Sequence, residues 1–282
     1  MTSTMFDVDS RGWTSEVRAG TMVWRRELVH FLRTPATAVV ALLQPMLFLY
    51  ILGVGLSRLF ASGGQASADS YLAFLFPGVL VMAAQAPALA VGASIVWDRQ
   101  TGFLREMLVA PVRRSTLLVG KCLGGATVAT CQGAVVLVSA GLVGIPYRVD
   151  LFAVLLAELS LAALSMTVFA AVVAVSIRRL KTYNTMLSVM VTPMLFLSGM
   201  MFPISAMPRW MEVLALANPL TYAVDAMRGT VEWFTAEAPG TALASPVAWF
   251  GWAVPAPLEI ALVAAFSVAL LAAAARRFSR PD

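Results

Sequence analysis

WDRQTGFLREMLVAPVRRSTLLVGK, residues 97–121, is a short charged segment between two long apolar runs. On a 3.6-residue period Phe103, Met107 and Ala110 fall on one apolar stripe with Leu104 and Leu108 beside it, while Arg99, Arg105, Arg113 and Arg114 supply charge. The flanking runs are the lengths and compositions of membrane spans. The segment between them therefore reads as an amphipathic helix at a membrane face, where it offers a docking surface to a soluble partner.

Composition agrees: 60% of residues are hydrophobic, 12% are charged and the mean hydropathy is +0.82, values of an integral membrane protein. Crossing about 30 Å of hydrocarbon takes roughly 20 helical residues. Counting stretches poor in Asp, Glu, Lys and Arg predicts spans at 36–57, 71–97, 118–145, 151–177, 182–202 and 256–275. The fourth is interrupted by Glu158, and Glu259 stands near the start of the sixth; each lies about two turns or less from the predicted outer end of its span, where a solvated placement costs little. Residues 238–258 are also uncharged, but Pro239, Pro246, Pro255 and Pro257 would break a helix there, and Trp249, Phe250 and Trp252 suit an interfacial external loop.

The expected fold is thus all-α with six transmembrane helices in residues 36–275, preceded by a cytoplasmic tail with an amphipathic helix (1–35) and followed by a cytoplasmic tail (276–282). With the N-terminus inside, sixteen of the twenty Lys and Arg fall on cytoplasmic segments; Arg58, Arg148, Arg209 and Arg228 fall outside. That asymmetry places both termini in the cytoplasm. It also accounts for the net charge of +5, and no nucleic-acid partner is implied.

About 33 polar and charged residues precede the first span, so that span is expected to act as its own uncleaved targeting signal. Within this region Trp13, Val17, Gly20, Trp24, Leu28 and Phe31 share one helical face and Arg11, Arg18, Arg25, Arg26 and Arg33 the other. This describes a helix in the membrane interface with its aromatic face in lipid. Either it only anchors, or its arginines meet a partner. His30, the sole histidine, reads as an interfacial residue. Cys122 and Cys131 are nine residues apart on one helix, roughly 13 Å by rise, too far to bridge, and read as small buried packing residues.

Catalytic motifs are missing from the sequence: there is no GxxxxGK[ST] loop, HExxH, nucleophile elbow or paired-cysteine metal site. The chain is expected to bind no cofactor and to be no enzyme. Between the fifth and sixth spans, Leu197–Trp233 contains Pro203, Pro208 and Asn218-Pro219, which divide it into two short helices, about Trp210–Ala217 and Leu220–Val231, held at the outer leaflet or dipping into it. Asp225 and Arg228 are spaced for an i, i+3 ion pair. The helix pair would be an outward gate or a structural plug.

Two blocks carry a resemblance across nearly the whole chain. One is DRxxGFLxExLVAPVxR with Gly120-Lys121 after it (Asp98, Arg99, Gly102, Phe103, Leu104, Glu106, Leu108, Pro111, Arg113); the other is SGxxFPxxxxPxW…NPLTYxVDxxR (Ser198 to Arg228). Together they resemble the type-2 ATP-binding-cassette (ABC) exporter permeases of the daunorubicin-resistance and nodulation-export branch. The resemblance implies a coupling helix carrying Arg99, Gly102, Phe103, Arg105, Glu106, Met107 and Pro111, and a connecting helix carrying Trp13, Trp24, Arg25 and Arg26. It implies two copies of a P-loop ATPase subunit that hold Mg-ATP, a second copy of this chain or a paralogue, and a bacterial cytoplasmic membrane. The expected function is efflux of an amphipathic or hydrophobic drug, antibiotic or lipid-like compound, with lipid-linked glycan or lipooligosaccharide export as the alternative. Gln85, Met186, Met190 and Met194 mark a pathway or a dimer face. An ion-coupled secondary transporter using Glu158 is the rival of another class.

Overall fold

A computed structural model describes residues 13–56, 68–102, 113–235, 246–249 and 251–279. Its helices are α1 (Trp13–Arg33), α2 (Pro35–Leu47), α3 (Ala68–Gln100), α4 (Arg114–Leu137), α5 (Val149–Ser176), α6 (Leu180–Leu197), α7 (Arg209–Leu216), α8 (Pro219–Phe234) and α9 (Ala256–Ser279). A two-residue hairpin, β1 (Ala248–Trp249) with β2 (Trp252–Ala253), precedes α9. It turns through Gly251 at φ +86°, so the proline-rich stretch expected to be a plain loop contains a small antiparallel pair.

Five stretches are long and apolar enough to cross a bilayer: Pro35–Leu56, Tyr71–Gln100, Arg114–Val143, Val149–Ser176 and Ala256–Phe278. The helix α6 falls outside that set, because Lys181, Asn184, Ser188 and Thr192 dilute its hydropathy. Its 18 residues still extend about 27 Å, close to the hydrocarbon thickness. It ends at Leu197 rather than near residue 202, since Gly199 turns the chain at φ +74° and Pro203 follows.

Prolines shape the spans without breaking them. Beyond Pro45 the α2 helix widens into a π-helical stretch, Phe48–Gly53, an adjustment that prolines and inserted residues provoke. In α3, Pro87 has no N–H for the carbonyl of Ala83; the Gln132 side-chain amide of α4 donates to that oxygen at 3.2 Å. A buried polar side chain thus satisfies a backbone group that lipid could not.

The centre of the bundle is α4, packed against α1, α3 and α5. Its glycines let neighbours approach closely on different sides: Gly120 and Gly124 face α1, Gly125 faces Val91 and Thr167, and Gly133 faces Leu159. Without a hydrophobic drive between helices in lipid, such small-residue contacts supply the packing. At the α1 crossing Glu16, Gly20, Val23 and Glu27 recur at helical spacing along the seam, and Val23 is buried. The sequence reading put the face containing Gly20 and Trp24 in lipid; the part around Gly20 and Val23 packs on α4 instead, while Val17 and Trp24 stay exposed. Trp24 also donates its indole N–H to Thr127 Oγ1 at 3.1 Å.

Two further expectations change and a third narrows. Cys122 is buried as expected but Cys131 is exposed on α4. Glu158, expected at a solvated helix end, is buried. And of the two placements left open for α8, at the outer leaflet or dipping inward, the structure is nearer the second: Leu220 to Arg228 are all buried, and α8 packs against α3, α5, α6 and α9.

A Cβ at position 120 would stand 2.8 Å from the Gly20 carbonyl oxygen, whereas one at Gly55 meets nothing within 4 Å. Gly120→Val should therefore destabilise the protein by about 1–3 kcal/mol through overpacking, and Gly55→Ala should be near neutral. Melting temperatures in detergent check this; equal values for the two variants would refute the close seam.

Candidate functional site

The residues that flank the amphipathic segment form a polar brace at the α1 end of the bundle. Residues 103–112, and with them Phe103, Arg105, Glu106, Met107 and Pro111, lie outside the described residues. The segment leaves α3 through Gly102, at φ +78°, a left-handed turn that glycine adopts at little cost. It rejoins the described chain at Arg113.

Each end is tied down. On the α3 side, Asp98 accepts a hydrogen bond from the Lys121 ammonium of α4, which also donates to Ser94 Oγ at 2.9 Å. Asp98 and Lys121 are 8% and 5% exposed. Arg26 of α1 stands 3.6 Å from the same carboxylate. In the next two residues, Arg99 donates to the Val175 carbonyl at 3.3 Å and Gln100 to the Arg178 carbonyl at 3.1 Å, fixing α3 to the end of α5. On the α4 side Glu16 of α1 accepts from the Arg113 backbone N–H at 3.1 Å and from Thr116 Oγ1. A carboxylate so placed also complements the positive end of the α4 dipole. Four helix ends, those of α1, α3, α4 and α5, are therefore joined to one another by these contacts.

Of the expected connecting-helix residues, Arg26 joins the brace, Arg25 is exposed, Trp24 packs on α4 and the Trp13 side chain lies outside the described set. Glu16 carries no signal in the sequence; a Glu in the first turn of an amphipathic helix gives no hint of a partner about a hundred positions away. Lys121 and Asp98 were quoted only as motif letters. Their pairing was recoverable, because two opposite charges at the same boundary of adjacent spans favour each other's company.

A second polar group lies at the far end. Asp225 Oδ1 and Arg228 are 3.5 Å apart, as the i, i+3 spacing suggested. They are buried within the bundle: Arg228 donates to the Gly199 carbonyl at 3.0 Å and lies 3.9 Å from the Phe74 ring centroid, and Asp225 Oδ2 accepts from the Val247 N–H at 2.8 Å. Asn218 caps α8, accepting from Leu220 N and donating to the Met194 carbonyl at 2.6 Å. Thr230 donates to Glu158 Oε1 at 2.7 Å, so Glu158 ties α5 to α8.

The methionines of α6 separate. Tyr183, Leu187, Val191 and Leu195 form its buried stripe; Met186 and Met190 are exposed on the other side and Met194 is half-buried between them. Gln85 of α3 is half-buried. The structure does not gather these four residues into one described cavity.

With this geometry in place, residues 19–231 match the ABC-2 type transporter family. The chain belongs to that family. It is similar to a protein described as a transport permease, ycf38, from Cyanophora paradoxa (27% identity over 208 residues, 72% of this chain and 71% of that one). It is also similar to Nodulation protein J of Rhizobium leguminosarum bv. viciae (28% over 216 residues, 74% and 80%) and to the inner membrane transport permease YadH of Escherichia coli K12 (23% over 208 residues, 73% and 80%). This chain is accordingly a multi-pass membrane permease, the membrane subunit of an ABC transporter, and family membership implies an ABC ATPase partner.

The permease's brace makes a stability prediction. Lys121→Met leaves the buried Asp98 carboxylate with only the more distant Arg26, a loss of about 3 kcal/mol for a broken buried pair. Adding Asp98→Asn should recover part of it. Thermal melts of the single and double variants in detergent decide; an additive double variant would mean the two residues do not interact.

Proposed function

We propose that this permease exports an amphipathic or hydrophobic compound, of drug, antibiotic or lipid-like character, across a bacterial cytoplasmic membrane. It does so as a pair of permease chains driven by two separate P-loop ATPase subunits carrying Mg-ATP. The single observation that carries the reading is the brace: the segment 103–112 hangs between two anchorages, Asp98–Lys121 and Glu16–Arg113, that join four helix ends. Anything seated on the segment pushes on a block of helices instead of on a loose loop.

The distribution of Lys and Arg supports placing this end, with both termini, in the cytoplasm, where the ATPase is. Closure of the ATPase pair on ATP would then be felt by α1, α3, α4 and α5 together. Moving a two-state equilibrium from 1:99 to 99:1 needs about 5.5 kcal/mol of differential binding, and a rigid brace delivers such a bias where a flexible linker would dissipate it. Phe103 and Met107 supply the apolar knobs of the docked segment, Arg105 and Glu106 its orienting charges.

The exposed side of α6 supports the pairing. It combines Met186, Val189, Met190 and Phe196 with Asn184, Ser188 and Thr192, a surface more polar than lipid favours. Facing a second copy across an export path suits it better, and flexible thioethers accommodate varied apolar cargo. In this reading α8, with Asp225 and Arg228, closes the outer end of the path.

Copurification of a P-loop ATPase with the tagged permease tests the partnership. In the reconstituted complex, Phe103→Ala and Glu106→Ala should each abolish transport-coupled ATPase stimulation while expression and melting stay normal. Full coupling in both variants would overturn the seating of this segment.

A further inference from the structure

Between α8 and the first turn of α9 lies a chamber of about 210 Å³, walled by Asp225, Arg228, Gly229 and Glu232 of α8 and by Pro246, Val254, Ala256 and Glu259. That volume is several times the roughly 30 Å³ share of a water molecule. The α8 residues recur at i, i+3, i+4 and i+7, so one face of the helix supplies that wall.

The charges in this wall do not balance. Asp225 is committed, to Arg228 at 3.5 Å and to the Val247 N–H at 2.8 Å. Arg228 spends its terminal nitrogens on Asp225 and on the Gly199 carbonyl. Left over are two acids, Glu232 and Glu259, whose cation in this wall is Arg228, already paired with Asp225; the Glu259 carboxyl also lies against that of Asp225. Glu259 is 2% exposed; its Oε1, the Oε1 of Glu232 and the Nε–H of the 5%-exposed Arg228 are all buried without a hydrogen-bond partner. The nearest further acid, Glu158, is occupied on one oxygen by Thr230 and adds negative charge. Unpaired buried groups of this kind are costly unless a ligand satisfies them.

Two unpartnered acceptor oxygens in a wall of three acids and one arginine ask for a cation rich in N–H donors, and one unpartnered donor in the same wall asks for an oxygen on the same molecule. An ammonium group has three donors and no acceptor. No set of His, Cys, Asp and Glu among the described residues has the arrangement of a metal site. We infer that the chamber binds a primary ammonium group through Glu232 and Glu259, with Arg228 Nε–H donating to a neighbouring hydroxyl or ester oxygen of the ligand. Glu232, half-buried, stands at the mouth; Glu259 forms the floor.

An aminoalcohol matches that pattern, either free in solution or as a lipid headgroup, and the two sources separate experimentally. Purified full-length permease in phosphatidylcholine nanodiscs is melted while ethanolamine hydrochloride is titrated at constant ionic strength, with tetramethylammonium chloride as the cation lacking N–H donors. A second set uses discs containing phosphatidylethanolamine and no free amine. The expected result is saturable stabilisation by ethanolamine and none by tetramethylammonium, with the midpoint weakened about tenfold in Glu232→Gln and in Glu259→Gln, the loss of one charge-assisted contact. Stabilisation in the second discs, removed by the same substitutions, assigns a lipid headgroup; stabilisation by dissolved amine alone assigns a soluble ligand. Equal effects of ethanolamine and tetramethylammonium with no gain in the lipid discs overturn the inference, as does an undiminished response in the variants. Should Glu259→Gln fail to fold, Glu232→Gln at the mouth decides alone. No ATPase is present in the assay, so its failure leaves the export reading untouched.

Discussion

The buried pair of Asp98 and Lys121 is the contact on which the rest of the arrangement turns. Two charges this deeply buried are expensive, and their mutual attraction recovers the cost only when hydrogen bonds complete the geometry. Here Ser94 accepts a second hydrogen bond from Lys121, and Arg26, 3.6 Å from the Asp98 carboxylate, adds a further positive charge. The consequence is positional: α3 cannot rise or sink relative to α4 without separating the pair, and α1 is held to the same point through Arg26. The register of three helices is fixed at the boundary where the amphipathic segment departs.

Away from that boundary the constraint becomes steric. Gly20, Gly120 and Gly124 bring α1 and α4 almost into backbone contact, and Gly125 and Gly133 admit Val91 and Leu159 from α3 and α5. Polar contacts set the register while glycines set the distances, and each would be weak without the other. An ion pair on loosely spaced helices admits water; a glycine seam without register can slide by a turn.

Much of this was legible in the sequence, for identifiable reasons. Charge-free length located the long apolar helices, and the prolines of residues 203–219 cut the following segment close to where α7 and α8 lie. What the sequence concealed were the relations between elements. Helical projection gave α1 an apolar face and assigned it to lipid, because periodicity cannot tell a bilayer from a neighbouring helix with glycines at matching spacing. The same blindness left α8 undecided between the outer leaflet and the interior: its buried Asp225 and Arg228 look like surface charges until Gly199, Phe74 and Val247 are seen to surround them. Glu158 looked solvated by its distance from a helix end, whereas Thr230, distant in sequence, shields it.

These relations also connect the two polar regions. Near one end of α5 the Val175 carbonyl accepts from Arg99 of the brace; toward the other, Glu158 accepts from Thr230 of α8. Seventeen residues of helix separate the two positions, about 26 Å, and an α-helix packed on α3, α4, α8 and α9 resists bending over that length. Cores and packed interfaces shift between discrete arrangements rather than deform continuously. If both hydrogen bonds persist, a displacement of the α3 end cannot be absorbed locally: it must move α5 as a rod and carry α8 with it. The acid chamber beside α8 would then change shape with the brace, although no side chain of one region touches the other. Coupling of this kind requires no chain of special residues through the membrane, only a stiff helix pinned at both ends.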